Sequence, residues 1–130
     1  MILLDSNTLI YYIRGVEPVV KRFQAANRSE LAIPSMAAYE IEYGALKSGS
    51  TRRKDITKEL LAGVIQVPFD ASAASEAAVI RIELERRGLV IGPLDLMIAG
   101  SARSRDAVLI TSNTREFSRV KNLTVQDWML

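Results

Sequence analysis

Three acidic residues are candidates for a chemical site, because each lies where the sequence predicts the start or the inner face of a different element. Asp5 follows the apolar run 1–4, Glu40 has mostly apolar helical neighbours, and Asp95 begins a helix after Ile-Gly-Pro-Leu. Carboxylates gathered in one fold repel one another, so a cation must hold them together. A hard divalent metal takes oxygen ligands and keeps positions for water and phosphate. The three acids therefore indicate metal-dependent phosphodiester chemistry.

The 130 residues include no cysteine and no histidine. This excludes disulfides, thiolate nucleophiles, zinc sites built from thiolate or imidazole, and every mechanism with a histidine base. A metal in this protein must bind to oxygen ligands. That restriction favours Mg²⁺ or Mn²⁺ over Zn²⁺.

The composition predicts a single globular domain over residues 1–130, since 48% of the residues are hydrophobic and 25% are charged. No apolar run approaches the roughly 20 residues that cross a bilayer. No basic segment precedes the apolar run 2–4, so a signal peptide is not predicted either. We therefore expect a cytoplasmic protein without membrane association.

The formal net charge of +2 is too small to identify a nucleic-acid partner. Acids gathered in one pocket would, however, leave the remaining surface more basic than the total suggests. Basic residues cluster at 52–54, at 86–87, and at Arg103 and Arg105, and these clusters are candidates for phosphate contacts. For any single cluster, a solvated surface is the simpler explanation.

Short apolar runs alternate with helical patterns along the chain. Strands are predicted at 2–4, 31–33, 65–67, 107–110 and 123–125. A helix start is predicted at the polar residues 5–7, and helices are predicted at 17–26, from a Ser35 cap to 47, at 51–62, between an Asp70 cap and Gly88, and at 93–104. This alternation predicts an α/β fold, a three-layer sandwich with a central, mainly parallel sheet flanked by helices.

Ligands of such a sheet bind beyond the carboxyl ends of its strands. Asp5 lies just past the first predicted strand, and residues 111–113 lie just past the fourth. We therefore expect these two segments to face one crevice.

Each acid alone also has an ordinary structural explanation. Asp5 suits a helix N-cap, and Asp95 in a first helical turn complements the helix dipole. Most helical glutamates lie on the surface, and helical periodicity does not decide between Glu40 and Glu42 for the inward position. Only the combination of the acids is specific.

Four blocks of sequence carry a family resemblance that covers essentially the whole chain: LLDSNT at 3–8, IPSMAAYEIEYG at 33–44, IGPLDLMIA at 91–99 and LITSNTREF at 109–117. Their order and spacing resemble the PIN domain, and more closely the VapC-type ribonuclease toxins of prokaryotic toxin–antitoxin pairs. In the second block the family places its glutamate four residues before the glycine, which selects Glu40 over Glu42.

The resemblance implies endonucleolytic cleavage of RNA without a side-chain nucleophile. Asp5, Glu40 and Asp95 would hold Mg²⁺ or Mn²⁺, with Asn113 and Glu116 completing the ring. Many PIN domains have an aspartate at the position of Asn113, whereas the VapC-like branch often has asparagine with an acid three residues later. The hydroxyls of Ser6 and Thr111 either orient carboxylates or serve as ordinary caps.

The same resemblance implies protein partners. A VapC-like protein is expected to form a homodimer and to be neutralised by a VapB-like antitoxin, whose arginine would enter the acidic pocket. Apolar helical surface around Met36, Tyr39, Tyr43 and Leu46 is a candidate interface.

Two other classes of protein also gather acids beside a sheet. The start Asp5-Ser6-Asn7 faintly resembles a haloacid-dehalogenase-type phosphatase, but Asn7 stands where that class has its second acid. A receiver-type regulatory module needs an acceptor aspartate after the third strand. Asp70 is the only acid near that position, and it is better explained as a helix cap.

Overall fold

The computed structural model describes all 130 residues and contains one five-stranded sheet in which every pairing is parallel. Its strands are β1 Ile2–Leu4, β2 Leu31–Pro34, β3 Ile65–Val67, β4 Val108–Ile110 and β5 Thr124–Gln126. They lie in the order β3-β2-β1-β4-β5. The predicted strands are therefore confirmed to within a residue, and the sheet is wholly parallel.

Seven α-helices and one 3₁₀ turn (Arg28–Glu30) connect and cover the strands. The helices are α1 Ser6–Ile13, α2 Glu17–Ala25, α3 Ser35–Ser48, α4 Thr51–Gly63, α5 Ala71–Arg86, α6 Pro93–Ser104 and α7 Thr114–Phe117. Asp70 caps α5 as predicted, since its Oδ1 accepts the Ala73 N–H at 2.9 Å. None of these helices has the length and apolar character needed to cross a membrane.

The predicted junction at Pro34 and Ser35 is wrong in detail. The second strand was predicted to end at residue 33, but Pro34 is the last residue of β2 and pairs with Val67. Its fixed φ suits both the end of a strand and the N-cap position of α3. Ser35 is consequently the first residue of α3 rather than its cap, and its hydroxyl donates to the Val67 carbonyl oxygen at 3.0 Å.

The sheet separates two apolar layers, because successive strand residues point to opposite faces. Leu3 and Leu109 pack with residues of α5 and α6 on one face. Leu4 and Ile110 pack with residues of α1 to α4 on the other. All four strand residues are fully buried. This arrangement is the predicted three-layer sandwich.

The strand order changes direction between β1 and β4, which are neighbours at the centre of the sheet. In open parallel sheets the crevice beyond the carboxyl ends of two such strands is the usual ligand site. Leu4 pairs with Ile110, and the Asp5 N–H donates to the Ile110 carbonyl oxygen at 3.0 Å. The segments after β1 and β4 therefore open into one crevice, as predicted.

Candidate active site at the carboxyl edge of the sheet

Asp5 lies at the centre of this crevice and is only 2% exposed. Its Oδ1 accepts the Ser6 N–H at 2.7 Å, so Asp5 does cap α1. Its Oδ2 accepts the Thr111 hydroxyl at 2.7 Å, and Thr111 Oγ1 in turn accepts the Asn113 N–H at 3.0 Å. Burial raises the pKa of Asp5, and the hydrogen bonds from Thr111 and Ser6 partly oppose that rise. The carboxylate of Asp5 thus caps α1 and is also part of the candidate site.

Glu40 approaches Asp5 from α3 and is partly buried. Burial raises the pKa of Glu40, the Ser6 side chain opposes this, and the charge of Asp5 adds a smaller increase. Glu42, the competing candidate, is exposed and lines a separate groove between α3 and α4 with Leu46 and Lys58. Of the two glutamates, Glu40 is therefore the one that lies beside Asp5.

Asp95 lies in the first turn of α6 and has the most perturbed side chain of the set. Burial is the largest cause, followed by the charges of Asp5, Glu116 and Glu40, and together they raise its pKa to about 6. Because each of these charges acts on Asp95, the structure brings the four predicted acids into one electrostatically coupled group.

Glu116 belongs to α7, and Asn113 immediately precedes this helix in the short segment after β4. Asn113 Nδ2 donates to Glu116 Oε2 at 3.3 Å. Asn113, rather than Glu116, occupies the N-cap position of α7 and makes no side-chain cap there. Asn113 therefore holds Glu116 in place, and the charge of Glu116 reaches Asp95 in the crevice.

The side chains in the crevice suit a hard cation chemically. All of the candidate ligands offer oxygen: Asp5, Glu40, Asp95, Asn113 and Glu116. No salt bridge of the protein involves any of them, so their negative charge is uncompensated. In the side-chain conformations of this structure, no three acids are close enough together to bind one metal ion. Chelation would require the flexible Glu40 and Glu116 side chains to turn toward the two aspartates.

One residue of the crevice was missed by prediction from the sequence. The buried Thr8 donates its hydroxyl to the Ile110 carbonyl oxygen at 3.2 Å. This bond ties the first turn of α1 to the end of β4 and so fixes the angle between the segments that carry Asp5 and Thr111. The available signal was the position of Thr8 directly before the apolar residues Leu9 and Ile10 of the predicted helix.

The residues that would support the two other classes lie apart from this arrangement. Asn7 is exposed. Asp70 caps α5 and pairs with Arg105 Nη2 at 3.2 Å. Neither residue is among the causes that perturb Asp5, Glu40 or Asp95. The geometry favours neither a phosphatase nor a receiver.

The structure is thus an α/β protein with an acidic crevice at the switch point of an open parallel sheet, to which four separate segments each contribute a carboxylate. Residues 2–123 match the model of the PIN domain. A curated relative from Shigella flexneri, named tRNA(fMet)-specific endonuclease VapC, is 40% identical over 127 residues, which is 97% of this chain and 96% of the relative. Ribonuclease VapC2 of Rickettsia felis is 30% identical over 97% and 96% of the respective chains.

The fold is also that of a solved relative. The crystal structure of DNA-bound VapBC from Salmonella typhimurium contains a chain with a TM-score of 0.89 and 37% identity, covering 98% of this chain and 97% of that one. The protein therefore belongs to the PIN domain family, and the two curated relatives described above are named VapC proteins.

Proposed function

We propose that this protein is a metal-dependent endoribonuclease that hydrolyses phosphodiester bonds of RNA and acts as the toxin of a toxin–antitoxin pair. The observation that carries the proposal is the group of four coupled carboxylates with no cationic partner at the switch point of the sheet. The relatives named as endonuclease and ribonuclease support RNA as the substrate.

The residues proposed to hold Mg²⁺ (or Mn²⁺) are Asp5, Glu40, Asp95, Asn113 and Glu116. When bound, such a cation supplies an acidified water and offsets charge on the phosphodiester. Thr111 and Ser6 fix the orientation of Asp5 by donating to its two oxygens. Asp95, whose pKa is about 6, gives up its proton near neutral pH and completes the negative charge of the pocket.

The direct test uses two glutamates of the same helix. Purified wild-type protein, Glu40→Gln and Glu42→Gln are incubated with transfer RNA and ribosomal RNA in Mg²⁺, in Mn²⁺ and in EDTA. Glu40→Gln should lose cleavage, because it removes a charge from the coupled group. Glu42→Gln should cleave like the wild type, because Glu42 is exposed outside the crevice. Cleavage that persists in EDTA would reject the role of a metal.

A VapB-like antitoxin and a second copy of the chain are the proposed protein partners. The solved Salmonella relative is part of a VapBC complex. In this chain Tyr39, Tyr43 and Leu46 are 57% to 69% exposed and recur at helical spacing on α3. Met36, which was expected to belong to this surface, is instead buried with the residues of α5 and α6. The proposed interface is therefore limited to the other three residues.

A further inference from the structure

Most arginines of this protein are engaged by its own atoms. Seven of the twelve contact a carboxylate, a carbonyl oxygen or an aromatic ring. The side chains of the other five make no such contact: Arg14, Arg52, Arg53, Arg86 and Arg115. Three of these five meet at one place, although Arg14 is distant in sequence from the other two.

Arg14, Arg52 and Arg53 line a pocket of about 130 Å³ together with Ser50 and the apolar walls Ile13 and Ile56. We call this the arginine pocket. Arg14 follows the C-terminal end of α1, and the other two arginines lie in the first turn of α4, whose N-cap is Ser50. No acidic residue lines the pocket. Its positive charge is therefore uncompensated by the protein.

The side chain of Arg53 is partly buried, although it has no anionic partner. Its Nε is buried and has no acceptor among the protein's own atoms. Its Nη2 lies against Gly44 of α3, only 3.1 Å from where a Cβ at that glycine would be. A buried guanidinium donor without an acceptor costs stability, which is a reason to look for an anionic ligand.

The arginine pocket is close to the acidic crevice. Gly44 is one turn after Glu40 on the same face of α3, and residues so spaced are about 5–6 Å apart. Arg14 lies at the opposite end of α1 from Asp5, and a helix of that length spans about 12 Å. An RNA strand with one phosphodiester at the acids can therefore place a neighbouring phosphate at the arginines.

We propose that the arginine pocket is a subsite for a backbone phosphate of the RNA next to the bond that is cut. This rests on the function proposed above and adds the groups that hold the strand. Guanidinium groups bind phosphate through paired N–H donors, and the N-terminus of α4 adds favourable dipole charge. The subsite contacts phosphate alone, so it fixes the position of the strand and does not read its sequence.

The test measures binding separately from cleavage. A fluorescein-labelled single-stranded RNA 20-mer of mixed sequence is titrated by anisotropy in EDTA at several salt concentrations. Arg14→Gln, Arg52→Gln and Arg53→Gln should each weaken binding roughly fivefold and reduce the salt slope by about 0.7. The matched control is Arg86→Gln, which removes the same charge from an exposed, unpaired arginine at the end of α5; this residue of the predicted basic cluster 86–87 does not line the arginine pocket, and we assign it no phosphate contact. It should leave both quantities near the wild-type values.

Cleavage kinetics provide the second readout. Loss of the subsite should raise KM and leave kcat nearly unchanged, whereas a disturbed acidic crevice would lower kcat. Arg53→Gln could fail to fold, because Arg53 packs on Gly44. In that case Arg52→Gln tests the proposal by RNA binding and by cleavage kinetics, since Arg52 is exposed. Pocket variants that bind RNA like Arg86→Gln would overturn the proposal. A wild-type protein that cleaves no RNA would reject the proposed function, while the binding comparison in EDTA would still decide on the pocket.

Discussion

Asp95 is proposed to bind the metal, and its ionised form lowers the free energy of unfolding. Its pKa is about 6 in the folded protein against 3.8 for the free side chain, mainly because of burial and then because of Asp5. The folded state therefore holds the proton more tightly than the unfolded chain. Ionisation of Asp95 lowers the free energy of unfolding progressively as the pH rises from about 4 to about 6, and the whole cost is present above pH 6.

Asp95→Asn should remove this cost while it abolishes cleavage. In EDTA at pH 8 we expect the variant to be more stable by about 1 kcal/mol, after allowance for solvent screening of a half-buried group. At pH 4 it should gain little, because most of the wild-type side chain is then protonated. Urea unfolding at the two pH values measures the difference, with Glu42→Gln as the control. An equal gain at both pH values would contradict the electrostatic explanation.

Asp5 and Glu116 are expected to differ in their dependence on the metal. Asp5→Asn should abolish activity, because Asp5 is the buried carboxylate that Ser6 and Thr111 orient. Glu116→Gln should shift the manganese dependence of cleavage moderately to higher concentration, because Asn113 can still offer an uncharged oxygen. We predict one well-occupied metal position near Asp5 and Asp95, with a second that fills when substrate phosphate supplies further oxygens. Superimposable manganese titrations for wild type and Glu116→Gln would exclude Glu116 from the metal site.

At the scale of elements, the crossing of α5 and α6 positions Asp95. Gly100 of α6 lies so close to α5 that an added Cβ would be 2.7 Å from both the Ala73 carbonyl oxygen and the Ala77 Cβ. The backbone of α5 cannot yield as a flexible side chain would. The closeness of these two helices therefore depends on the missing side chain of Gly100.

Gly100→Ala should lower the free energy of unfolding by about 1–3 kcal/mol through overpacking and should also reduce cleavage, because it displaces the helix that carries Asp95. Gly63→Ala near the end of α4 is a matched control, since its Cβ would meet only the end of the flexible Arg28 side chain at 3.3 Å. That variant should be neutral or slightly stabilising. Thermal unfolding of both variants distinguishes the two glycines, and equal stabilities would contradict the tight crossing.

For the whole molecule, the exposed face of α3 predicts self-association. Tyr39, Tyr43 and Leu46 are exposed apolar residues at helical spacing on α3, and we expect Tyr43→Lys to convert a dimer into a monomer. Ile65→Lys is the control, because Ile65 is 60% exposed on the edge strand β3 and does not belong to α3. Sedimentation at micromolar concentration measures the mass. A wild-type protein that sediments as a monomer would contradict the proposed dimer.

The proposed toxicity has a separate test in cells. Cells that tolerate overexpression of this protein without an antitoxin would contradict it.

The sequence by itself determined the elements and most of the acids. Asp70 and Gly88 mark the limits of α5 through contacts within one helical turn, and short buried strands are recognisable from their apolar runs. Asp5 and Asp95 are recognisable for the same reason, because each lies at a local boundary between a strand or loop and a helix. Four family blocks then selected Glu40 over Glu42, and the structure agrees in placing Glu40 beside Asp5.

Only the tertiary structure decided which distant residues meet. The hydroxyl of Thr111 reaches Asp5 across 106 residues of chain, Thr8 binds the end of β4, and Arg14 joins Arg52 at one pocket. Met36 is buried with residues of α5 and α6, although Tyr39, three residues later on the same helix, is exposed. Such contacts depend on the strand order and on how helices cross, and these follow from the packing of the whole core, which no local pattern of residues records.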